Sequence, residues 1–502
     1  MFRRFVLFVL CGLVSCQPTL RPPASTVVFG RGADSQKLDP ADVDDGESIK
    51  VLVNICEGLV RFRTGSAEIE RCLATGWTIS PDGLAYRFTL RKDVKFHDGT
   101  PLDANAALFS FQRQMDTNHP AHFRNATFAY WSAMYNMVES VKAIDAGTLE
   151  FRLKEPHAPF LANLAIFPAH LISPKTADQL HPIGTGPFRF VEWKPNESIT
   201  LEANRDYWGG APTVERVVFK VVPDSATRLI QLQTGQIQAM DGLDPNDLPI
   251  IEKDSSLRLI TAPGLNVCYL AFNCEKITDK TWRRAIAAAI NKQDLITAVY
   301  RGRATVAKNP LPPFIAGHND AIPERPSSPV LRMTFAQPLP LEVMTNPRPY
   351  LPNPTRAAEM IKADCAKAGI PIEIVPNEWG SHLARTSHGE HEMALMGWVG
   401  DTGDADNFLY VLLDKDTATL GSALNVCFWK NDAYHDLMIA ARRELDPGKR
   451  AALYRKAQEI IFDEVPMVPL AHAEALATCR TNVANLHLEF NGDILFRDVT
   501  LR

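Results

Sequence analysis

The sequence predicts an α/β fold built from more than one domain. Three observations point to it. Apolar and charged residues alternate strictly over short segments, a strand–helix–strand unit runs from residue 341 to 375, and helical periodicity fills much of the last third. At 502 residues the chain exceeds what one hydrophobic core serves, and about 150 residues per domain gives roughly three. Hydrophobic residues make up 46% and charged residues 22%, as in an ordinary globular chain. The net charge is −5 with no basic block, so nucleic acid is set aside as a partner.

The N-terminus has its own pattern. Arg3-Arg4 precedes an apolar run, Phe5 to Val14, and then Ser15-Cys16. A charged start, a short apolar stretch and a small residue before the cleavage point make a secretory signal. The run is too short for a hydrocarbon core, which takes roughly twenty residues. Leu13-Val14-Ser15-Cys16 resembles the bacterial lipoprotein box, which implies a signal peptide over 1–16, lipid on Cys16 and a polar tether over 17–26. Cys11 competes, but Leu10 before it is not small. A plain secretory signal or an N-terminal anchor is the alternative. No later segment is apolar enough to cross a bilayer. The other cysteines (Cys56, Cys72, Cys268, Cys274, Cys365, Cys427 and Cys479) show neither CxxC nor metal-ligand spacing. An oxidising compartment would permit disulfides with one of the seven left over and no connectivity readable, and most read as buried small apolar residues.

Along the chain, Tyr86, Phe88 and Leu90 alternate with Arg87, Thr89 and Arg91, and Leu149, Phe151 and Leu153 alternate with Glu150 and Arg152. Both segments read as half-buried strands. Val214 to Val222 is a further strand, after which Pro223-Asp224-Ser225 offers a helix start for Ala226 to Thr234. Helices are expected over Trp282–Asn291, Thr355–Lys367, Ala433–Glu444 and Lys449–Glu464. Gly369 suits a helix C-terminal cap, with Pro371 just beyond it. Strands Leu341–Thr345 and Ile372–Val375 flank the helix Thr355–Lys367, which makes a βαβ crossover. A short helix near Trp379–Thr386 and a strand Met393–Trp398 follow.

Ligands of open α/β sheets bind outside the carboxyl ends of strands. The residues past two such ends are Asn346-Pro347-Arg348-Pro349-Tyr350 and Val399-Gly400-Asp401-Thr402-Gly403-Asp404. An arginine and an acidic cluster are therefore expected to face one crevice. A free peptide needs that pair: a carboxylate for its α-ammonium and a guanidinium for its α-carboxylate. Trp379 and Trp398 would add apolar walls. The alternative is that these charges are solvated loop residues or pair with each other.

Enzymatic templates fit poorly. Gly184-Thr185-Gly186 lacks the third glycine of a dinucleotide loop, and neither a Walker lysine motif nor a GxSxG elbow occurs. His382, His388 and His391 lie near Glu390 and Glu392 but match no zinc signature, and read as a solvated loop without metal. Asp401, Asp404 and Asp406 lack the closing glutamate of a calcium loop.

Trp77-Thr78-Ile79-Ser80-Pro81-Asp82-Gly83, the run Leu90 to Pro101 containing His97-Asp98-Gly99, Ile183 to Phe188, Asp206 to Gly210 and Pro263 to Asn266 occur in this order. Together they resemble the signature of the peptide and nickel class, family 5, of ABC-transporter solute-binding proteins, over about Val27 to Arg502. The segments Arg348 to Asn353, Glu378-Trp379-Gly380 and Gly397 to Phe408 are similar to the dipeptide-binding members. The resemblance implies that Arg348 holds the ligand carboxylate, Asp401 the α-ammonium, and Trp379 the side-chain pocket, with Tyr350, Trp398 and Gly46 also at the site. Where those members carry Thr-Ser-Gly, this chain has Asp44-Asp45-Gly46, and two acids there favour a cationic ligand end. The stretch Pro323 to Pro338 departs from the family pattern, which implies a shortened helix.

The implied fold is a two-lobed periplasmic-binding-protein fold of the class II type with an inserted domain and a ligand cleft between lobes. Lobe I would comprise 27–55, 180–262 and 477–502, the insertion 56–179 and lobe II 263–476. The implied role is capture of short peptides, dipeptides first, by a monomer without cofactor or catalytic activity. It would be lipid-anchored on the periplasmic or extracytoplasmic face and deliver to an ABC permease and its ATPase. Haem, glutathione and longer or antimicrobial peptides are ligands of the same architecture, so the family does not by itself settle the ligand, and a peptidase on the same surface is the remote alternative.

Overall fold

The computed structural model describes residues 25–123, 125–325 and 337–502. The signal peptide 1–16 with Cys16, residues 17–24 of the tether, and 326–336 of the Pro323–Pro338 stretch lie outside the described residues.

Two large sheets form two lobes. In the seven-stranded sheet the spatial order is Leu257–Ala262, Ala475–Arg480, Ala239–Asp241, Thr26–Arg31, Arg216–Val221, Ser198–Ala203 and Phe188–Lys194. Thr26–Arg31 runs parallel to both its neighbours, and the other pairs are antiparallel. The six-stranded sheet runs Ala304–Val306, Met467–Ala473, Asn266–Phe272, Met393–Val399, Leu339–Met344 and Ile372–Asn377. Leu339–Met344 is parallel to both Ile372–Asn377 and Met393–Val399, so the βαβ unit and the strand after it form as expected.

The crossover helix Pro354–Lys367 shows why this segment is helical. Asn353 accepts the Arg356 N–H, proline occupies the first turn, where no N–H is needed, and Gly369 takes the left-handed conformation (φ 76°) past the end. Ala357, Ile361 and Cys365, four residues apart, turn one buried stripe to the sheet.

A third, four-stranded antiparallel sheet joins Ala74–Ile79, Ala85–Leu90, Thr148–Leu153 and Val138–Asp145. Its alternation is the one read from the sequence. Tyr86, Phe88, Leu90, Leu149, Phe151 and Leu153 are buried beneath the helix Ala104–Met115, while Arg87 and Glu150 pair on the outer face at 2.5 Å. The ion pair Arg113–Asp39 ties this unit to the seven-stranded lobe, with two bonds of 2.6 and 2.5 Å and almost no exposure.

The sequence motifs shared with the family form joints. Glu57, at 7% exposure, accepts from the Tyr207 hydroxyl (2.6 Å), the Trp208 indole (2.9 Å) and the Thr185 hydroxyl (2.9 Å). The Gly186 N–H donates to the Ile55 carbonyl at 2.8 Å, and the His97 N–H donates to the Gly184 carbonyl at 2.9 Å. A side chain at Gly184 would overlap the Ile55 carbonyl. The chain passes between the two large sheets twice, at 262–266 and 473–475. The Asn266 amide fastens these crossings side by side, donating to the Ala473 carbonyl (2.9 Å) and accepting its N–H (2.8 Å).

One expectation is corrected and one is met. His382 and His391 are buried rather than solvated, because each places Nε2 against a backbone carbonyl, that of Leu395 at 3.0 Å and of Val426 at 2.9 Å. The described cysteines are unpaired, and all but the half-buried Cys274 are buried, as their apolar reading expects. Gly184→Ala should destabilise the protein by about 1–3 kcal/mol, since backbone on both sides cannot yield. Urea denaturation measures this, and an unchanged midpoint would contradict the assignment of Gly184 to a joint.

Candidate functional site

A cavity of about 1440 Å³ lies between the lobes, lined by Arg348, Tyr350, Trp379, Trp398, Asp401 and Gly46. It is larger than the roughly 300–1,000 Å³ of common ligand pockets.

Arg348 sits in a tight turn after the strand Leu339–Met344, closed by paired backbone bonds with Leu351 at 3.0 and 2.9 Å. Its guanidinium lies 3.6 Å over the Trp379 ring, a cation–π stack that fixes its plane. It has no carboxylate partner among the described residues, and its Nε is buried without a hydrogen bond. Trp379 opens the helix Trp379–Ser387, where Glu378 caps the first turn by accepting the Gly380 N–H at 2.8 Å. Tyr350 is 5% exposed and covers Gly397, where any side chain would strike its ring. Its hydroxyl lies at Met344 Sδ (3.9 Å), so it offers the cavity ring surface.

Asp401 follows the strand Met393–Val399. Its Oδ1 accepts the Tyr130 hydroxyl at 2.9 Å, a bond from the four-stranded unit across to the six-stranded lobe. Asn407 organises the other side, its Oδ1 accepting both the Asp401 N–H (2.9 Å) and the Trp398 indole (3.0 Å). No cation pairs with Asp401 among the described residues. Burial raises its carboxyl pKa, and the bonds from Tyr130 and Asn407 only partly oppose this. The Tyr130 phenol is in turn pushed up, by burial first and then by the Asp401 charge.

The rest of the expected acidic cluster faces elsewhere. Asp404 forms a two-pronged pair with Arg450 at 2.6 and 2.7 Å, and Asp406 lies 3.3 Å from Arg442. Only Asp401 of the three lines the cavity, because the loop turns into the helix Asp406–Leu413 and carries the others toward the arginines. The loop before Gly46 is corrected too: Asp45 caps the helix Gly46–Leu52 by accepting the Ser48 N–H at 2.8 Å, which leaves Asp44 alone exposed at the cavity. A side chain at Gly46 would meet nothing, so packing does not demand glycine there.

Tyr130 and Asn407 escaped sequence reasoning. Tyr130 lies in an aromatic segment with nothing to mark it, and Asn407 reads as an ordinary polar residue in the first turn of a helix. Among the described residues, three potential metal ligands converge at Asp414, Asp416 and His435, not at the His382 group.

The raised Asp401 pKa means that the folded state holds this proton to higher pH than the unfolded state. Ionised Asp401 therefore lowers stability at neutral pH, and the penalty disappears as pH falls through the raised pKa toward the unfolded value of about 3.9. Ligand-free Asp401→Asn should be more stable than the parent at pH 7, with the advantage shrinking by pH 4. Urea midpoints at both pH values test this, and a pH-independent difference would refute it.

Residues 68–419 match the family of bacterial extracellular solute-binding proteins, family 5 Middle. The chain is 34% identical over 509 residues to the dipeptide-binding protein of Escherichia coli, covering 95% of each chain. It is 37% identical over 486 residues to heme-binding protein A of Haemophilus influenzae, covering 90% of this chain and 88% of that one. Among solved structures, the ABC transporter-associated periplasmic binding protein DppA from Helicobacter pylori, in complex with the peptide STSA, superposes with a TM-score of 0.78 at 36% identity. The match covers 95% of this chain and 98% of that one. The two lobes, the cleft between them and these matches agree: the chain belongs to the bacterial extracellular solute-binding proteins of family 5, with their two-lobed α/β periplasmic-binding fold.

Proposed function

We propose that this protein captures short peptides, dipeptides first, outside the cytoplasm and hands them to an ABC permease. The observation that carries the reading is that Arg348 and Asp401 line one cavity and neither has an ion-pair partner among the described residues. Charges removed from water are costly unless paired. A zwitterionic ligand supplies both partners at once, its carboxylate to Arg348 and its ammonium to Asp401. Trp379 and Trp398 would flank its side chains with apolar surface that discriminates little. The peptide-binding relatives support the same ligand class. The volume near 1440 Å³ favours a second reading, a peptide of more than two residues.

Capture would proceed by movement of the lobes about the crossings 262–266 and 473–475. Ligand held by Arg348 and Asp401 favours the state in which Tyr130 reaches Asp401, and the difference in affinity between the two states sets how far the population shifts. The boundaries proposed for the lobes and the insertion are those given from the sequence, and lipid on Cys16 would keep the protein at the membrane that holds the permease.

Arg348→Ala and Asp401→Asn should each weaken dipeptide binding at least tenfold in calorimetry, since truncating one partner of a buried charge pair costs about 2–5 kcal/mol and tenfold is only about 1.4 kcal/mol. An N-acetylated dipeptide should lose as much against the parent protein. Unchanged affinities would remove both residues from the site. Cys16→Ala should abolish incorporation of labelled palmitate and release the protein from membranes, and continued labelling would exclude Cys16 as the anchor.

A further inference from the structure

The strands His487–Leu488 and Ile494–Leu495 pair as a hairpin, with His487 opposite Leu495 and Leu488 opposite Ile494. Continuing that register sets Glu489 opposite Asp493, and the Glu489 N–H donates to the Asp493 carbonyl at 2.9 Å. The turn between them is closed by Gly492 at φ 90°. Directly opposed side chains in such a pair share a face, where like charges are destabilising. Both residues line the cavity that holds Asp401 and Arg348.

Neither carboxylate has an ion-pair partner among the described residues. Glu489 is 7% exposed, with Oε2 accepting the Gly65 N–H at 2.9 Å and Oε1 buried without a partner. Asp493 is half-buried, and its carboxylate accepts the Asn491 side-chain amide at 2.7 Å. Burial, with the Glu489 charge adding to it, pushes the Asp493 carboxyl up to about 6. Four basic residues act on the pair from a distance: Lys50, Arg61, His487 and Arg497. Three of them are committed to other carboxylates, Lys50 to Glu47 and Asp241, Arg61 to Glu70 and Arg497 to Asp498.

This turn lies beside the ammonium end of the site. The Gly400 N–H donates to the Leu265 carbonyl at 2.7 Å, and the Leu265 N–H donates to the Phe490 carbonyl at 2.8 Å. Asp401 and Glu489 are each one residue from that relay. Two steps of backbone pairing span about 10 Å, within reach of a long side chain on the residue that carries the α-ammonium. A simple zwitterion neutralises Asp401 and Arg348 and leaves the 489–493 pair uncompensated.

We propose that Asp493, backed by Glu489, forms a subsite for a cationic side chain on the ligand's first residue, so that the preferred ligands are peptides beginning with lysine or arginine. This rests on the peptide reading and narrows it. Calorimetry with lysyl-alanine and norleucyl-alanine, which differ by one charged group, tests it. The parent protein should bind lysyl-alanine at least fivefold more tightly, and the ratio should fall toward one in Asp493→Asn and in the Asp493→Asn, Glu489→Gln double variant. Equal binding of the two peptides by the parent protein, a comparison that requires no variant to fold, would overturn the subsite and leave peptide capture standing. A ratio that survives in folded double variant would overturn it as well. Failure of both peptides and of dialanine to bind would overturn the peptide reading and this inference together.

Discussion

Charge withdrawn from water has to be paired, and this constraint organises the molecule. Away from the cavity, buried charges are paired: Arg113 with Asp39 between the four-stranded unit and the seven-stranded lobe, and Arg450 with Asp404 within the six-stranded lobe. In the cavity the pairing is incomplete. Among the described residues, Arg348 is stacked on Trp379 without an anion, and Asp401 is held by a phenol and an amide without a cation. Both charges line the same cavity, and the proposed capture of a zwitterionic ligand rests on that arrangement.

The scaffold accounts for the recurring motifs. Thr185, Gly186, Tyr207 and Trp208 converge on Glu57 and Ile55, where the four-stranded unit meets the seven-stranded lobe, and Asn266 ties the two crossings. None of these residues is proposed to touch ligand. The four-stranded unit nevertheless reaches the site, because Tyr130 donates its hydroxyl across the cleft to Asp401. A second contact, the Ala158 N–H on the Arg442 carbonyl at 2.7 Å with Glu155 near Arg443, joins the same two bodies away from the cavity. Any relative movement of the lobes has to break or keep these bonds together.

Much of the fold was legible because local rules agreed with the tertiary outcome. The two-residue alternation of Tyr86 to Leu90, the Asp224 cap and the glycine at 369 act within a few residues of themselves, and each element formed where those signals lay. The strand-end argument brought Arg348 and Asp401 to one crevice because parallel strands share their carboxyl edge. It failed for Asp404 and Asp406, since their partners Arg450 and Arg442 come from helices some forty residues on. The histidines 382 and 391 failed similarly: a polar residue can be buried when a distant backbone carbonyl receives it, and local sequence does not show that carbonyl. Asp45 was misread because a helix cap and a ligand-facing acid have the same composition.

By itself, then, the sequence determined the α/β class, the crossover unit and the family, and it set Arg348 and Asp401 past strand ends that open on one cavity. These follow from periodicity, short-range capping and motifs whose order along the chain carries the information. Tertiary structure alone decided which charges stay unpaired, that Tyr130 and Asn407 hold Asp401, and that Glu489 and Asp493 share a cavity wall. The physical reason is that pairing and burial depend on which groups the packed fold brings within reach, as it brings Tyr130 to Asp401 from 271 residues away, and local sequence does not set those distances.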